Sequence, residues 1–303
     1  TIASSLALIL TTACTETVDQ NLDFAGGDEG GGAGEDGTED GDEEGDEGEG
    51  EGDDSGYDPP EGEEHDCRGF AASIDELPPN VMLVLDKSGS MIQNSWDHDS
   101  DPATEDITRW NSLYQVVSSI VGGFDGGIRF GAFLFPSMEA GTQPEDFGNF
   151  CVVSDDAEVP VGDDTAEDIL GAIPGAEDTE FGGATPAADG IQTAAQNLLA
   201  TDHDGPKVMV LVTDGAANCA PGHKQEFKHF DERLITHIAD ARAGGIPTYV
   251  VGIDIDRHRT KGEIDTFTKL FQAAEVGGVA RTGDTAFYNA QSHTELQTAL
   301  DDI

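Results

Sequence analysis

Four continuous apolar runs most strongly limit how this chain can fold. They are Val81–Leu85, Ile128–Phe135, Val208–Val212 and Pro247–Ile253. None of them alternates apolar and polar side chains as a strand with one solvent-facing side would, so each is predicted to be a β-strand buried on both faces. Segments with helical spacing lie between these runs, and strands that alternate with helices favour a parallel sheet covered on both sides.

Apolar residues recur at helical spacing in five segments. The segments are 110–124, 191–199, 227–241, 264–274 and 294–300. Thr108 is the predicted N-cap of the first, Gly122–Gly123 and Gly244–Gly245 mark the ends of the first and third, and Trp110 is expected in the core. A short strand is expected near Glu158–Val161. The predicted fold class is α/β: a doubly wound, mostly parallel central sheet flanked by helices in a three-layer sandwich.

The N-terminal part of the chain differs sharply in composition from the rest. The chain has 62 acidic and 14 basic residues and a net charge of -48, yet residues 1–66 contain no Lys or Arg. Residues 15–66 are predicted to be a disordered Gly/Asp/Glu-rich linker, because residues 26–66 lack the Val, Ile and Leu needed to offset the entropy of ordering. Residues 67–303 are the predicted globular domain. Net acidity argues against a nucleic-acid partner, since phosphate binding depends on clustered Lys and Arg.

Residues 1–14, "TIASSLALILTTAC", have the apolar centre of a secretion signal. Neither an initiator Met nor a basic leader precedes this segment, so we expect its start to be truncated, and the apolar run is too short to span a bilayer. Its end resembles the lipobox of bacterial lipoproteins through Leu10, Ala13 and Cys14, although Thr11 stands where Leu is usual. We expect lipidation of Cys14 and an exported location, as an outer-membrane lipoprotein of the periplasm or surface. The alternative is a plain cleaved signal and a secreted protein.

Oxygen donors follow two of the predicted strands. Asp86 ends the first apolar run and is followed by Ser88 and Ser90, and Asp214 follows the third run. Carboxyl ends of parallel strands share one edge of the sheet, and Thr185, just before a helix predicted to start at Pro186, is expected there too. Hard oxygen donors favour Mg²⁺, with Ca²⁺ or Mn²⁺ as alternatives, over zinc. Each residue taken alone also fits a helix cap or a turn.

Three short motifs together resemble a known family. "VLDKSGSM", "GGATP" and "LVTDG", in this order, are similar to the three loops of the metal-ion-dependent adhesion site of von Willebrand factor type A domains. The resemblance covers about residues 79–303. It implies that Ser88, Ser90 and Thr185 bind the ion through hydroxyl oxygen, and that Asp86 and Asp214 bind directly or through water. It also implies that an acidic side chain of a protein partner fills the remaining coordination position.

The resemblance also bears on two loops. In the family, the connection after the second predicted strand and the loop after Asp214 both start at the metal-bearing edge. Cys151 and Cys219 lie in these connections and are the favoured disulfide pair, with Cys67 as an alternative partner for Cys219. The loop Asn94–Asp106 carries several oxygen donors, and we expect a solvated loop there in preference to a second ion site or a recognition rim.

The predicted function is that of a binding module rather than an enzyme. No catalytic residue is assigned: Ser88 and Ser90 have no recognisable base, a phosphatase would need an acid where Ser88 stands, and His223, His229 and His237 lack zinc spacing. We expect an exported protein that captures a protein partner through its cation and touches a membrane only through an N-terminal lipid. The alternatives are an envelope scaffold or assembly factor with a structural ion, and a metal-dependent hydrolase. The sequence indicates no oligomeric state.

Overall fold

The computed structural model describes residues 77–124, 126–258 and 264–303. Within these ranges the strands are β1 Asn80–Asp86, β2 Ser95–Trp96, β3 Ile107–Thr108, β4 Arg129–Phe135, β5 Val159–Gly162, β6 Lys207–Thr213, β7 Thr248–Ile253 and β8 Tyr288–Ala290. The helices are α1 Gly89–Gln93, α2 Arg109–Gly123, α3 Ala166–Ala172, α4 Ala187–Ala200, α5 Arg233–Ala243, α6 Thr266–Gly277 and α7 His293–Asp302, with a 3₁₀-helix at Pro144–Asn149. The predicted signal, the predicted linker, Cys14 and Cys67 lie outside the described residues.

Six strands form the central sheet in the order β5-β4-β1-β6-β7-β8. All neighbouring pairs are parallel except β4 and β5, which are antiparallel. β1 lies inside the sheet, and all seven of its residues are buried, as expected of a parallel strand covered on both faces. The predicted class, a mostly parallel sheet between helical layers, is confirmed.

Each face of the sheet has its own apolar core. Leu83 and Leu85 of β1 face the core shared with α2, α3 and α7, whereas Met82 and Val84 face the core shared with α4, α5 and α6. This division follows from the two-residue period of a strand, which points successive side chains to opposite faces. Trp110 is fully buried and meets Phe181 edge to face at 4.9 Å between ring centroids, so the prediction that it is a core residue is confirmed.

The helix boundaries agree with the sequence in part. The Thr108 side chain caps α2 by accepting a hydrogen bond from the Asn111 amide at 3.1 Å, as predicted. The third predicted helix is wrong at its start: α5 begins at Arg233, not Phe227. Phe227 has a φ of 49°, which a right-handed helix does not allow, and its ring stacks on a different loop. Pro186 immediately precedes α4 instead of being its first residue.

α3 and β8 were not predicted. β8 has only three residues and α3 seven, so neither is long enough to show a clear period. In the part of the chain that the structure describes, no helix is both long and apolar enough to cross a membrane.

Candidate metal centre

The sheet brings the two acids of the predicted site to one edge. β1 and β6 are paired in parallel, with Leu85 opposite Val212, and Asp86 and Asp214 stand at or just beyond the ends of these strands. Asp86 is fully buried, and Asp214 is almost so. Two carboxylates from well-separated parts of the chain therefore lie together at the carboxyl edge, where open α/β sheets bind ligands.

A continuous set of hydrogen bonds links four of the five predicted ligands. One carboxylate oxygen of Asp86 accepts from the Ser88 amide at 2.8 Å. The hydroxyls of Ser88 and Ser90 are 3.0 Å apart, and the Ser90 hydroxyl donates to Asp214 Oδ1 at 2.6 Å. Two serine hydroxyls and two carboxylates thus belong to one connected set of hydrogen bonds, an all-oxygen donor set of the kind that suits a hard divalent cation.

The loop that carries Thr185, the fifth predicted ligand, is hydrogen-bonded to both of the other loops. Its amide donates to Asn218 Oδ1 at 2.8 Å, and the Asn218 amide donates to the Thr185 carbonyl at 3.0 Å. The Gly89 amide donates to the Gly183 carbonyl at 3.1 Å, which joins the first loop to the second. Thr185 is buried at this edge, although its hydroxyl makes no hydrogen bond with the other four ligands among the described residues.

Lys87 also connects the first two loops. It lies between Asp86 and Ser88 but buries its side chain, and its Nζ donates to the Gly182 carbonyl at 3.4 Å. Burial lowers the pKa of this ammonium group to about 8, since removal from water disfavours the charged form. Lys87 is therefore a structural link between the two loops that carry hydroxyl donors.

Arg109 lies at the candidate site but was not predicted from the sequence. At the start of α2, its Nη1 donates to Asp214 Oδ2 at 2.8 Å, and its Nη2 pairs with Asp254, which follows β7. A cation at a helix N-terminus is unfavourable with respect to the helix dipole, so an Arg next to the Thr108 cap was a usable signal that an acid lies nearby. Asp254 and Thr213, whose hydroxyl donates to Asp86 Oδ2 at 2.5 Å, were missed as well.

The electrostatics of Asp86 fit a bound cation. Burial, followed by the nearby Asp214 carboxylate, raises the pKa of Asp86 to about 7. Arg109 pairs with Asp214 and Asp254 but not with Asp86, which makes no salt bridge among the described residues. A divalent ion between the two loops would supply a counter-charge, and buried carboxylates are otherwise costly to ionise. The residues present therefore fit Mg²⁺ or a similar hard ion.

Two long connections meet beside this edge. Cys151, in the connection from β4 to β5, and Cys219, in the loop from β6 to α5, form a disulfide with their Cα atoms 5.9 Å apart. The rings of Phe147, Phe150 and Phe227 stack nearby, with centroids 4.8 to 5.9 Å apart. The Phe150 carbonyl in turn accepts from the Ala184 amide at 2.9 Å, so this braced region contacts the loop that carries Thr185.

In the acidic loop after α1, residues 94–106, the carboxylates accept hydrogen bonds from backbone amides of the same loop. Asp97, Asp99 and Asp101 accept from the amides of Ser100, Asp101 and Ala103 at 2.7 to 3.0 Å. These residues are largely exposed, and such local hydrogen bonds are usual for Asp in turns. The loop is held between β2 and β3, which pair as a two-residue antiparallel ladder.

The fold agrees with comparisons to known proteins. The family model for the von Willebrand factor type A domain matches residues 80–302, whereas no curated protein matches the sequence. Among solved structures, the pilus adhesin SpaC from Lactobacillus rhamnosus GG aligns with a TM-score of 0.50 at 16% identity, over 75% of this chain and 30% of the adhesin.

Two further solved structures are similar at lower scores. BatB from Bacteroides thetaiotaomicron aligns with a TM-score of 0.47 at 13% identity, over 74% of this chain and 96% of BatB. The PilB minor pilin from Streptococcus sanguinis aligns with a TM-score of 0.47 at 16% identity, over 77% of this chain and 62% of the pilin. The family model spans most of the chain and includes every strand and helix that bears the site, so this chain belongs to the von Willebrand factor type A domain family.

Proposed function

We propose that this protein binds a protein partner through a divalent cation held by Asp86, Ser88, Ser90, Thr185 and Asp214. The observation that carries the proposal is the hydrogen-bonded cluster of two carboxylates and two serine hydroxyls from the ends of β1 and β6. Mg²⁺ is the proposed ion, with Ca²⁺ or Mn²⁺ as alternatives. When bound, the ion supplies a Lewis-acidic position for a carboxylate from the partner.

The charge of the donor set supports an ion that still attracts an anion. Only two of the five proposed ligands are acids, and the single charge of Arg109 is shared between Asp214 and Asp254. Two ligand carboxylates balance the charge of a dication without exceeding it, whereas a third or fourth would leave the site net negative and repel an incoming anion. The helices α2 and α4 both begin beside site residues, and their N-terminal dipoles add to the attraction for an incoming carboxylate.

The engagement of the serine hydroxyls favours binding over catalysis. The hydroxyls of Ser88 and Ser90 lie 3.0 Å apart, and the Ser90 hydroxyl donates to Asp214, whose other carboxylate oxygen is held by Arg109. Pairing with Arg109 engages the carboxylate that would have to act as the base, and no histidine hydrogen-bonds to either hydroxyl among the described residues. We therefore propose a non-enzymatic role, with capture of an acidic residue of another protein as the activity.

Cation binding can be tested on the full chain by Mn²⁺ titration with electron paramagnetic resonance. Asp86→Asn removes a charge with little change in shape, and we expect it to weaken the strongest Mn²⁺ site at least about tenfold. Asp156→Asn, an exposed acid in the β4–β5 connection, is the matched control and should bind like the unaltered chain. Equal Mn²⁺ affinity in both variants would refute the metal site.

Partner capture needs a separate measurement. The chain is immobilised and exposed to envelope extract with Mg²⁺, with chelator, and with chelator followed by excess Mg²⁺. We expect a partner retained only when Mg²⁺ is present, released by chelator, and not retained by Asp86→Asn. The alternative, a scaffold with a structural ion, predicts a different result. Partner capture would then survive both chelation and the Asp86→Asn substitution, while chelation would lower the stability of the chain.

We also propose that the protein is exported and anchored to the envelope through lipid on Cys14. The proposal rests on the apolar segment and the small residues that precede Cys14. Mass spectrometry of the mature N-terminus should find an acylated cysteine as the first residue. An unmodified Cys14, or cleavage elsewhere, would leave a secreted protein.

A further inference from the structure

Two imidazoles and one carboxylate converge in the loop between β6 and α5. His223 Nδ1 lies 3.6 Å and His229 Nε2 lies 3.4 Å from the same oxygen of Glu226, Oε2. One ligand atom from each of the three residues lies within 4.8 Å of the other two. The cluster is separate from the five residues of the candidate metal centre, and none of its members hydrogen-bonds to them among the described contacts.

The spacing matches what a tetrahedral ion requires of its ligands. Zinc binds His nitrogen and carboxylate oxygen at about 2.0–2.2 Å, so two ligands of a tetrahedral site lie about 3.3–3.5 Å apart. The two nitrogen-to-oxygen distances of 3.6 and 3.4 Å are close to this separation. Only the distance between the ligand nitrogens of His223 and His229 would have to shorten, and rotation of these exposed side chains can achieve this.

The two imidazole rings of the cluster lie close to each other. The two imidazole rings lie 4.1 Å apart between centroids, and two cationic rings at this distance would repel each other. Neutral imidazoles are the form that binds metal. A metal ion bound by two neutral imidazoles would bring the same atoms together without this repulsion.

The turn that forms the cluster is held by structure on either side. The amide of Glu226 donates to the His223 carbonyl at 2.9 Å, and Phe227 then takes a positive φ of 49°, which folds His229 back against His223. Phe227 is stacked on Phe147 and Phe150, and Cys219 is fixed by the disulfide. The spacing His223-x-x-Glu226-x-x-His229 is unlike common zinc motifs, and only this chain reversal brings the three residues together.

We propose that His223, Glu226 and His229 form a second metal site, specific for a borderline divalent ion such as Zn²⁺. Two imidazoles and a carboxylate favour Zn²⁺ over Mg²⁺, which prefers oxygen donors. The three side chains are 38% to 57% exposed, so the fourth coordination position is open to water or to a ligand atom of a partner. The chain thereby holds a zinc-class ion in the loop that follows Asp214.

The test uses the full chain, stripped of metal and titrated with Zn²⁺ by calorimetry in saturating Mg²⁺. We expect one Zn²⁺ site that weakens at least about tenfold in His229→Ala and that remains in Asp86→Asn. His258→Ala removes an exposed histidine from another loop and is the matched control. Weak binding by acidic residues elsewhere is common to all variants, so the difference between variants isolates the cluster.

Co²⁺ provides a second readout of the same site. Co²⁺ bound by two imidazoles and a carboxylate should give the intense visible bands of tetrahedral coordination. These bands should be lost in Glu226→Gln. This variant keeps the shape of the side chain and therefore tests the site even if His229→Ala disturbs the loop. Equal Zn²⁺ affinity in His229→Ala and His258→Ala, or only the weak octahedral spectrum of Co²⁺, would overturn the proposal.

Discussion

Arg109 sets the charge at the carboxyl edge of the sheet. Its guanidinium joins Asp214, after β6, to Asp254, after β7, and its side chain is only 10% exposed. Pairing with these acids outweighs the effect of burial and raises the pKa of the guanidinium above its usual value. Arg109 thus holds the Asp214 carboxylate in a fixed orientation at this edge of the sheet.

Replacing Arg109 by Met should destabilise the chain more than an ordinary loss of a salt bridge. The substitution leaves the buried Asp214 and the partly exposed Asp254 without their counter-charge, and breaking a buried pair costs about 3 kcal/mol or more in free energy of unfolding. A divalent ion can take over part of this role, so Mg²⁺ should restore part of the loss. Urea unfolding with and without Mg²⁺ measures both effects.

Arg129→Met is the matched control for this substitution. Arg129 pairs with Asp163, whose side chain is 62% exposed, and surface pairs contribute less than about 1 kcal/mol. A similar loss for both variants would mean that the pairing of Arg109 with Asp214 has no special part in stability.

At the same scale, three motifs were enough to indicate all five proposed ligands, because each lies within a few residues of a strand end or a helix start. Asp254 could not be found from the sequence, because only the order of strands in the sheet brings it to Arg109. Arg109 beside the Thr108 cap was a signal for a nearby acid, but the sequence alone does not say which acid it meets. The cluster of His223, Glu226 and His229 was not predicted from the sequence either. The turn at Phe227 has no sequence signature, and the spacing of the three residues matches no common metal-binding motif although their side chains lie close together.

Among elements, the strands were the most predictable part of the molecule. β1, β4, β6 and β7 are the long runs that both helical layers cover, and burial on two faces leaves an unbroken apolar sequence. The start of α5 was misplaced because Phe227 and Phe230 continue the helical spacing of Leu234 and Ile238. Helical spacing does not reveal that Phe227 packs against Phe147 and Phe150 of another connection.

The end of α6 approaches β7 so closely that only glycine fits there. A Cβ on Gly277 would lie 2.3 Å from the Thr248 carbonyl oxygen, a backbone atom that cannot move aside alone. Gly277→Ala should therefore push α6 away from the sheet and lower the free energy of unfolding by about 2 kcal/mol. Chemical denaturation measures the change.

Gly171→Ala in α3 is the corresponding control. A Cβ at this helical position meets nothing within 4 Å, so alanine should leave stability unchanged or raise it by about 0.5 kcal/mol through its better helix propensity. Equal stability of Gly277→Ala and Gly171→Ala would contradict the prediction. It would mean that the backbone at Gly277 lies farther from the Thr248 carbonyl oxygen than in this structure.

On the scale of the whole molecule, the covalent link between Cys151 and Cys219 joins two connections that are 68 residues apart in sequence. The stacked phenylalanines and the hydrogen bond from Ala184 to Phe150 extend this link to the loop that carries Thr185. The rim around the candidate metal centre is thus held by covalent, aromatic and backbone contacts, although it lies in long connections outside the sheet.

Removing the disulfide as Cys151→Ala/Cys219→Ala should lower the free energy of unfolding by about 4 kcal/mol, because closing a loop of this length removes that much entropy from the unfolded chain. Denaturation in oxidising buffer measures the loss, and peptide mapping without reductant should find Cys151 joined to Cys219. The unaltered chain under reductant is the control and should match the double variant. A peptide map that joins Cys67 to Cys219 would contradict the link, and so would a double variant as stable as the oxidised chain. If the link is correct, the double variant should also bind Zn²⁺ more weakly, because His223 and His229 lie in the loop that the disulfide anchors.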